Sequence, residues 1–257
     1  MAKKAGQKQT GKRGGFGSSG LAGYHRASRD LWTSLILVMP LFIAYQIGVM
    51  ATGGIRNGVD FMTDLIWWST GSDLGHYLIF NLALIAIFGG VIFAYRKRGT
   101  FRARLWPWVM LESTVYAIFL GGVVIGLMQS LGLGVLLSTG VEGLELNTLS
   151  ALVLSIGAGL YEELVFRLIM MGGLFYVGRR LLKLPRWVAA VGALLISSLA
   201  FSAVHHIGSL GEDFVLGVFM FRFFAGMVLA GIFYARGFAV AVYTHAIYDV
   251  IVLVLTP

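Results

Sequence analysis

Cysteine is absent from the 257 residues, which excludes disulfides, thiolate-bound metal and a cysteine nucleophile. Charge is scarce: Asp, Glu, Lys and Arg make up 12 %, about half of the ~25 % usual in soluble domains. Proline occurs 4 times, so little interrupts long helices. Neither a G-x-S-x-G nucleophile elbow nor an H-E-x-x-H zinc signature occurs, and no internal repeat or second domain is visible. Against these shortages stand 58 % hydrophobic residues and a mean hydropathy of +0.82. That balance excludes an ordinary soluble globule and, for most of the length, a disordered chain. A membrane barrel would alternate polarity over ~10-residue segments. Here the apolar runs are unbroken and about twice that long, so the reading is all-α, a polytopic transmembrane helix bundle. The 35 glycines suit close helix packing.

A ~30 Å hydrocarbon core needs about 20 apolar residues. Seven spans are predicted, at 31–53, 78–95, 105–128, 147–178, 187–206, 214–235 and 238–255. The fourth is too long for one crossing at normal tilt, so it either extends beyond the bilayer or breaks near Gly172–Gly173. Segments 61–70 and 129–140 are too short or too polar to span easily and are read as interfacial or re-entrant, with eight spans as the upper count. Residues 1–30 are expected to be a flexible basic tail, since KKAGQKQTGKRGGFGSSG has too little apolar surface to order and no signal-peptide h-region. Residues 31–140 would supply the N-terminal helices and 141–257 the chemistry.

The net charge of +8 suggests nucleic acid, but its distribution does not. Seven of the 20 Lys and Arg lie in 1–30, five in 96–104 and four in 179–186, at the ends of apolar runs. The positive-inside rule accounts for that alternation and puts the N-terminus in the cytoplasm. The expected surroundings are a lipid bilayer, on sequence style a bacterial inner membrane, with no nucleic-acid partner.

Ionisable groups inside spans are costly and mark function. Glu162, Glu163, Arg167, His245 and Asp249 stand out, with His205 and His206 at the end of the fifth span, Arg222 in the sixth and Glu112 in the third. Glu163 and Arg167 are i,i+4 and can pair. Glu162 points about 100° away, which leaves it as the carboxylate for chemistry, and desolvation suits such a group to general-base work. His245 and Asp249, also i,i+4, can face one cavity. His206 reads as an interfacial histidine, with a catalytic place beside His205 as the alternative. Arg222 reads as a partner for a buried acid such as Asp249, a second partner for Glu162, or a contact for a substrate carboxylate. Glu112, near a basic loop, reads as solvated or paired.

YEELVFR (161–167) is an E-E-x-x-x-R motif, FSAVH (201–205) an F-x-x-x-H motif and HAIYD (245–249) an H-x-x-x-N/D motif. In this order on three late membrane helices they resemble the CPBP family, also called the type II CAAX prenyl endopeptidase or ABI family of intramembrane proteases. The resemblance covers about 145–255. It implies an intramembrane peptide hydrolase in which Glu162 activates water, His205 assists, His245 and Asp249 hold the scissile carbonyl and its oxyanion, and Glu163 and Arg167 orient the site. Asp249 stands where an Asn could donate directly to an oxyanion. An ionised Asp cannot donate, so Asp249 is expected to orient His245 or to stay protonated.

No cofactor is expected. The alternative is zinc held by Glu162, His205 and His245, since two imidazoles and a carboxylate suit that ion. The expected partner is a membrane-anchored protein or peptide substrate. His205 and His206 adjoin a loop that the charge pattern places outside, so the cavity is expected in the outer half of the membrane. That site suits the C-terminal sorting tail of an exported protein, whereas CAAX tails are trimmed from the cytosolic side. The competing readings are a CAAX-type prenyl-protein endopeptidase, a transporter using the buried charges as a relay, and an inactive scaffold. Absent inverted repeats count against the transporter.

Overall fold

The computed structural model describes residues 21–55, 103–134, 147–207 and 212–255, with isolated positions between 75 and 93. All regular structure among them is helical: α1 (Leu21–Ser28), α2 (Leu31–Ala51), α3 (Trp106–Ser130), α4 (Thr148–Arg180), α5 (Arg186–Val204), α6 (Leu216–Arg236) and α7 (Phe238–Leu255). All but α1 are long and apolar enough to cross a membrane, six among the described residues. The predicted span 78–95 falls mostly outside the described residues, and 61–70 wholly so. Of 129–140, residues 129–134 are described: α3 runs to Ser130 and the chain turns at Gly132.

Local chemistry sets the helix starts. The Asp30 carboxylate accepts from Thr33 N at 2.9 Å and caps α2, and Asn147 Oδ1 accepts from Ser150 N at 2.8 Å and caps α4, each worth about 1 kcal/mol. Pro107 sits in the first turn of α3, where a missing N–H costs nothing. Gly237 alone joins α6 to α7 at φ 92°, and a Cβ there would lie 2.9 Å from Arg29 Cα. Only glycine meets both demands.

The expectation of a flexible 1–30 tail is corrected at its end. Leu21–Ser28 is helical because tertiary bonds hold it. Tyr24 donates to Glu112 Oε2 at 2.5 Å, and Arg236 reaches both Glu112 Oε2 (2.8 Å) and Ser28 Oγ (3.3 Å). Tyr116 also donates to Glu112, at 2.8 Å. Glu112 is therefore paired, and its cluster ties α1, α3 and α6 together.

α7 is the central helix, packed by α2, α3, α4 and α6, while α5 closes the other side of α4 and α6. Residues Phe238 to Ala246 are buried throughout. The outward faces are apolar instead: Ile47, Ile118, Phe119 and Leu199 are exposed, as lipid-facing surfaces require. In lipid, helices associate by close packing and polar contacts rather than by the hydrophobic effect. Ser113 Oγ accordingly donates to Val240 O at 3.2 Å, joining α3 to α7. At Gly159 a Cβ would lie 2.6 Å from both Ala246 Cβ and Ala246 N, so α4 and α7 meet backbone to backbone. Gly226 brings α6 against Ser198 of α5 in the same way.

Candidate active site

α4 does not break at Gly172–Gly173. Its hydrogen bonding changes to the i→i+5 pattern over Ala158–Met171 and returns to the α pattern from Gly172. Such widened turns are rare and occur often at functional sites. Every acidic and basic residue of the E-E-x-x-x-R motif lies within this stretch.

Glu163 and Arg167 are both fully buried, at 0 % exposure. Arg167 Nη1 lies 3.2 Å from Glu163 Oε1, and Arg167 Nη2 donates to Gly226 O of α6 at 3.3 Å. The guanidinium also sits 4.3 Å above the Phe201 ring. That ring meets His205 and His245 edge-on, at 5.2 and 5.9 Å. The phenylalanine of F-x-x-x-H is thus a spacer between the buried arginine and both imidazoles.

The two histidines are held through Nδ1. His245 Nδ1 donates to Glu163 Oε1 at 2.8 Å, since a carboxylate can only accept. His205 Nδ1 donates to Phe201 O at 2.7 Å, one turn back on α5. Both Nε2 atoms are then turned to one carboxylate: His205 Nε2 is 3.8 Å from Glu162 Oε1, and His245 Nε2 is 3.8 Å from Glu162 Oε2. Asp249 Oδ2 flanks the same His245 nitrogen at 3.6 Å. Glu162, His205, His245 and Asp249 therefore form one cluster drawn from α4, the end of α5, and α7. His205 follows the last residue of α5, and burial holds its imidazole below the ordinary 6.5, against the pull of Glu162.

His206 and Arg222 stand elsewhere. His206 Nδ1 contacts Glu212 O at 3.2 Å, with its ring beside Phe214 (5.3 Å) and Phe219 (6.0 Å). Arg222 is corrected from Asp249 or Glu162 to Glu212: its Nη1 and Nη2 each donate to one Glu212 oxygen at 2.8 Å. Asp249 is turned to His245 instead because the two share a face of α7. Sequence reading missed Glu212 as more than a loop charge, and it missed Gly226 as a backbone acceptor. Both partners are non-local, so spacing could not reveal them. It also missed Gln46 Nε2, which donates to Tyr161 OH at 3.1 Å beside the motif.

The two oxygens of Glu162 face different imidazoles, and among the described residues no group of three His, Asp or Glu is arranged to hold a metal ion.

Comparison of the whole chain with curated proteins and with solved structures gives no match. A family model does match, over residues 144–251, the stretch that carries all three motifs and the whole Glu162 cluster. Its description is Type II CAAX prenyl endopeptidase Rce1-like. Over that stretch this membrane-spanning chain is similar to the Rce1-like type II CAAX prenyl endopeptidases, a family of proteases.

Proposed function

We propose that the protein is an intramembrane endopeptidase in which Glu162 activates water to cut a peptide bond near the C-terminus of a membrane-associated protein or peptide. The observation that carries this reading is the position of Glu162 between two imidazole Nε2 atoms, each at 3.8 Å. That separation is too long for a hydrogen bond and is one that a single water can bridge, at about 2.8 Å from each side.

Water between Glu162 Oε1 and His205 Nε2 would donate one hydrogen bond to each. Both atoms accept, because His205 carries its proton on Nδ1. Glu162 takes the water proton as the oxygen attacks the carbonyl carbon, and the tetrahedral oxyanion forms. His245 binds Glu163 through Nδ1, so Nε2 is the atom with which an imidazolium donates to that oxyanion. Asp249 beside it balances the charge and orients the ring. A donor of this kind contributes ~3–4 kcal/mol. The carbon–nitrogen bond then breaks as the proton on Glu162 passes to the leaving amine.

The loop charges support an outward-facing cavity, and with it the C-terminal sorting tail of an exported protein as substrate. The family match supports a CAAX-type tail as the second reading. The test is Glu162→Gln, compared with wild type in proteoliposomes, with cleavage of membrane-anchored peptides followed by mass spectrometry. Loss of general-base action should lower the rate ~10²–10⁴-fold with the unfolding temperature preserved. Normal cleavage by the variant would overturn the assignment of the base.

A further inference from the structure

Arg222 is an arginine inside an apolar span, in the run FMFRFFAGM. Placing a guanidinium there is costly and calls for a purpose. Its two terminal nitrogens grip the Glu212 carboxylate in a parallel fork, at 2.8 Å and 2.8 Å. This is the geometry with which arginine recognises a planar carboxylate. Glu212 belongs to the segment between α5 and α6, so the occupant of the fork comes from outside the helix.

That occupant is held next to the Glu162 cluster. Glu212 N donates to His205 O at 2.9 Å, and His206 Nδ1 donates to Glu212 O at 3.2 Å. The residue whose carboxylate fills the fork is therefore bonded through its backbone to the very histidine that faces Glu162. Because these backbone bonds fix Glu212 independently of its side chain, the carboxylate can leave the fork without releasing the segment. Glu212 and Arg222 keep 34 % and 23 % side-chain exposure. A partly exposed ion pair of this kind adds little net stability, so exchanging one carboxylate for another costs little.

We propose that Arg222 is the subsite for the C-terminal carboxylate of the substrate, and that Glu212 occupies it in the resting protein as an internal stand-in. The assignment rests on the proteolytic reading above and deepens it. It makes the substrate a chain cut a few residues from a free C-terminus, with the fork measuring the distance from that end to the scissile bond. Glu212 then competes with substrate at one subsite, which discriminates against chains that lack a terminal anion.

The experiment uses the full-length protein in proteoliposomes and one lipid-anchored reporter peptide that wild type cleaves. The reporter is made with a free C-terminal carboxylate and as the C-terminal amide. Wild type should prefer the acid by ten-fold or more in kcat/KM. In Arg222→Gln the acid-to-amide ratio should collapse towards one, and in Glu212→Gln it should rise several-fold as the competitor is removed. Reading a ratio removes any general loss of fold or rate common to both reporters. Equal wild-type cleavage of acid and amide, or ratios unchanged in both variants, would overturn the subsite and leave the peptidase reading intact. An amidated reporter ending in glutamate that is cleaved as well as the acid would overturn the assignment to the chain terminus. If wild type cleaves no membrane-anchored peptide, the peptidase reading fails and the subsite fails with it.

Discussion

His245 Nδ1 and Glu163 Oε1 are 2.8 Å apart, a hydrogen bond between two buried side chains on different helices. It commits one imidazole nitrogen to structure and turns the other towards Glu162 and Asp249. The same Glu163 oxygen lies 3.2 Å from Arg167. The second glutamate of the motif thus neutralises a buried cation and fixes the orientation of a histidine ring at once. The first glutamate, one residue earlier, faces both imidazoles.

Separating these two tasks is possible by mutation. Glu163→Gln leaves Arg167 as a buried charge without its counter-ion, and breaking a buried pair costs about 3–5 kcal/mol. A large fall in unfolding temperature in detergent is the expected result, together with loss of cleavage. Replacing both members, with Glu163→Met and Arg167→Met, removes the stranded charge and should recover much of the stability. Activity should stay lost, because a thioether is only a weak acceptor and does not replace a carboxylate for His245 Nδ1. Recovery of cleavage in the double variant would refute the orienting role.

The α4–α7 approach at Gly159 gives a second test. An added Cβ would lie 2.6 Å from Ala246 Cβ and 2.8 Å from Ala246 Cα, so backbone rather than a mobile side chain must move. Ala246 follows His245 directly, and Gly159 lies one turn from Glu163. Gly159→Ala should destabilise by about 1–3 kcal/mol through overpacking and lower cleavage by stretching the Glu163–His245 bond. Gly122 and Gly231 meet nothing within 4 Å. Alanine at either should leave unfolding and cleavage as in wild type, and an equal loss at all three would show that helix-wide effects, not this contact, are responsible.

The sequence carried the site further than it carried the helix geometry. Helical spacing alone joined Glu163 to Arg167 and His245 to Asp249, because both pairs are internal to one helix. The bond from Glu163 to His245 joins α4 to α7, and that from Arg222 joins α6 to Glu212 of the segment before it; both depend on tertiary packing, and no periodicity encodes that. The i→i+5 stretch at Ala158–Met171 was not foreseen either: its charges, Glu162, Glu163 and Arg167, mark a site but do not distinguish a widened turn from an α-helical one. Helix α1 went unforeseen for the same reason: Tyr24 and Ser28 find Glu112 and Arg236 only after the chain has folded.

Metal removal separates the two chemistries open to Glu162, His205 and His245. In the water-activation mechanism each oxygen of Glu162 serves a different partner, and no ion is needed to lower the barrier. Cleavage should therefore persist after exhaustive treatment with a strong chelator in detergent, and added zinc should not raise it. Loss of activity that zinc alone restores would replace this mechanism with Lewis-acid activation of water.

The pH profile reports on His205. The mechanism needs this ring neutral, with Nε2 as an acceptor, and burial holds it below the ordinary 6.5. At pH 6.5 the folded protein then carries less than half of its His205 in the charged form, so the acid limb of kcat/KM attributable to this ring should fall below 6.5. Stability runs in the same direction. The unfolded chain binds the proton more readily than the folded one, so the contribution is fully present above 6.5 and is lost as pH falls through the lowered folded value. A pH titration of cleavage, run beside unfolding temperatures in the same buffers, measures both. An acid limb centred above 6.5, with the fold intact, would show that the ring is not held neutral by burial and would remove it as the acceptor for the attacking water.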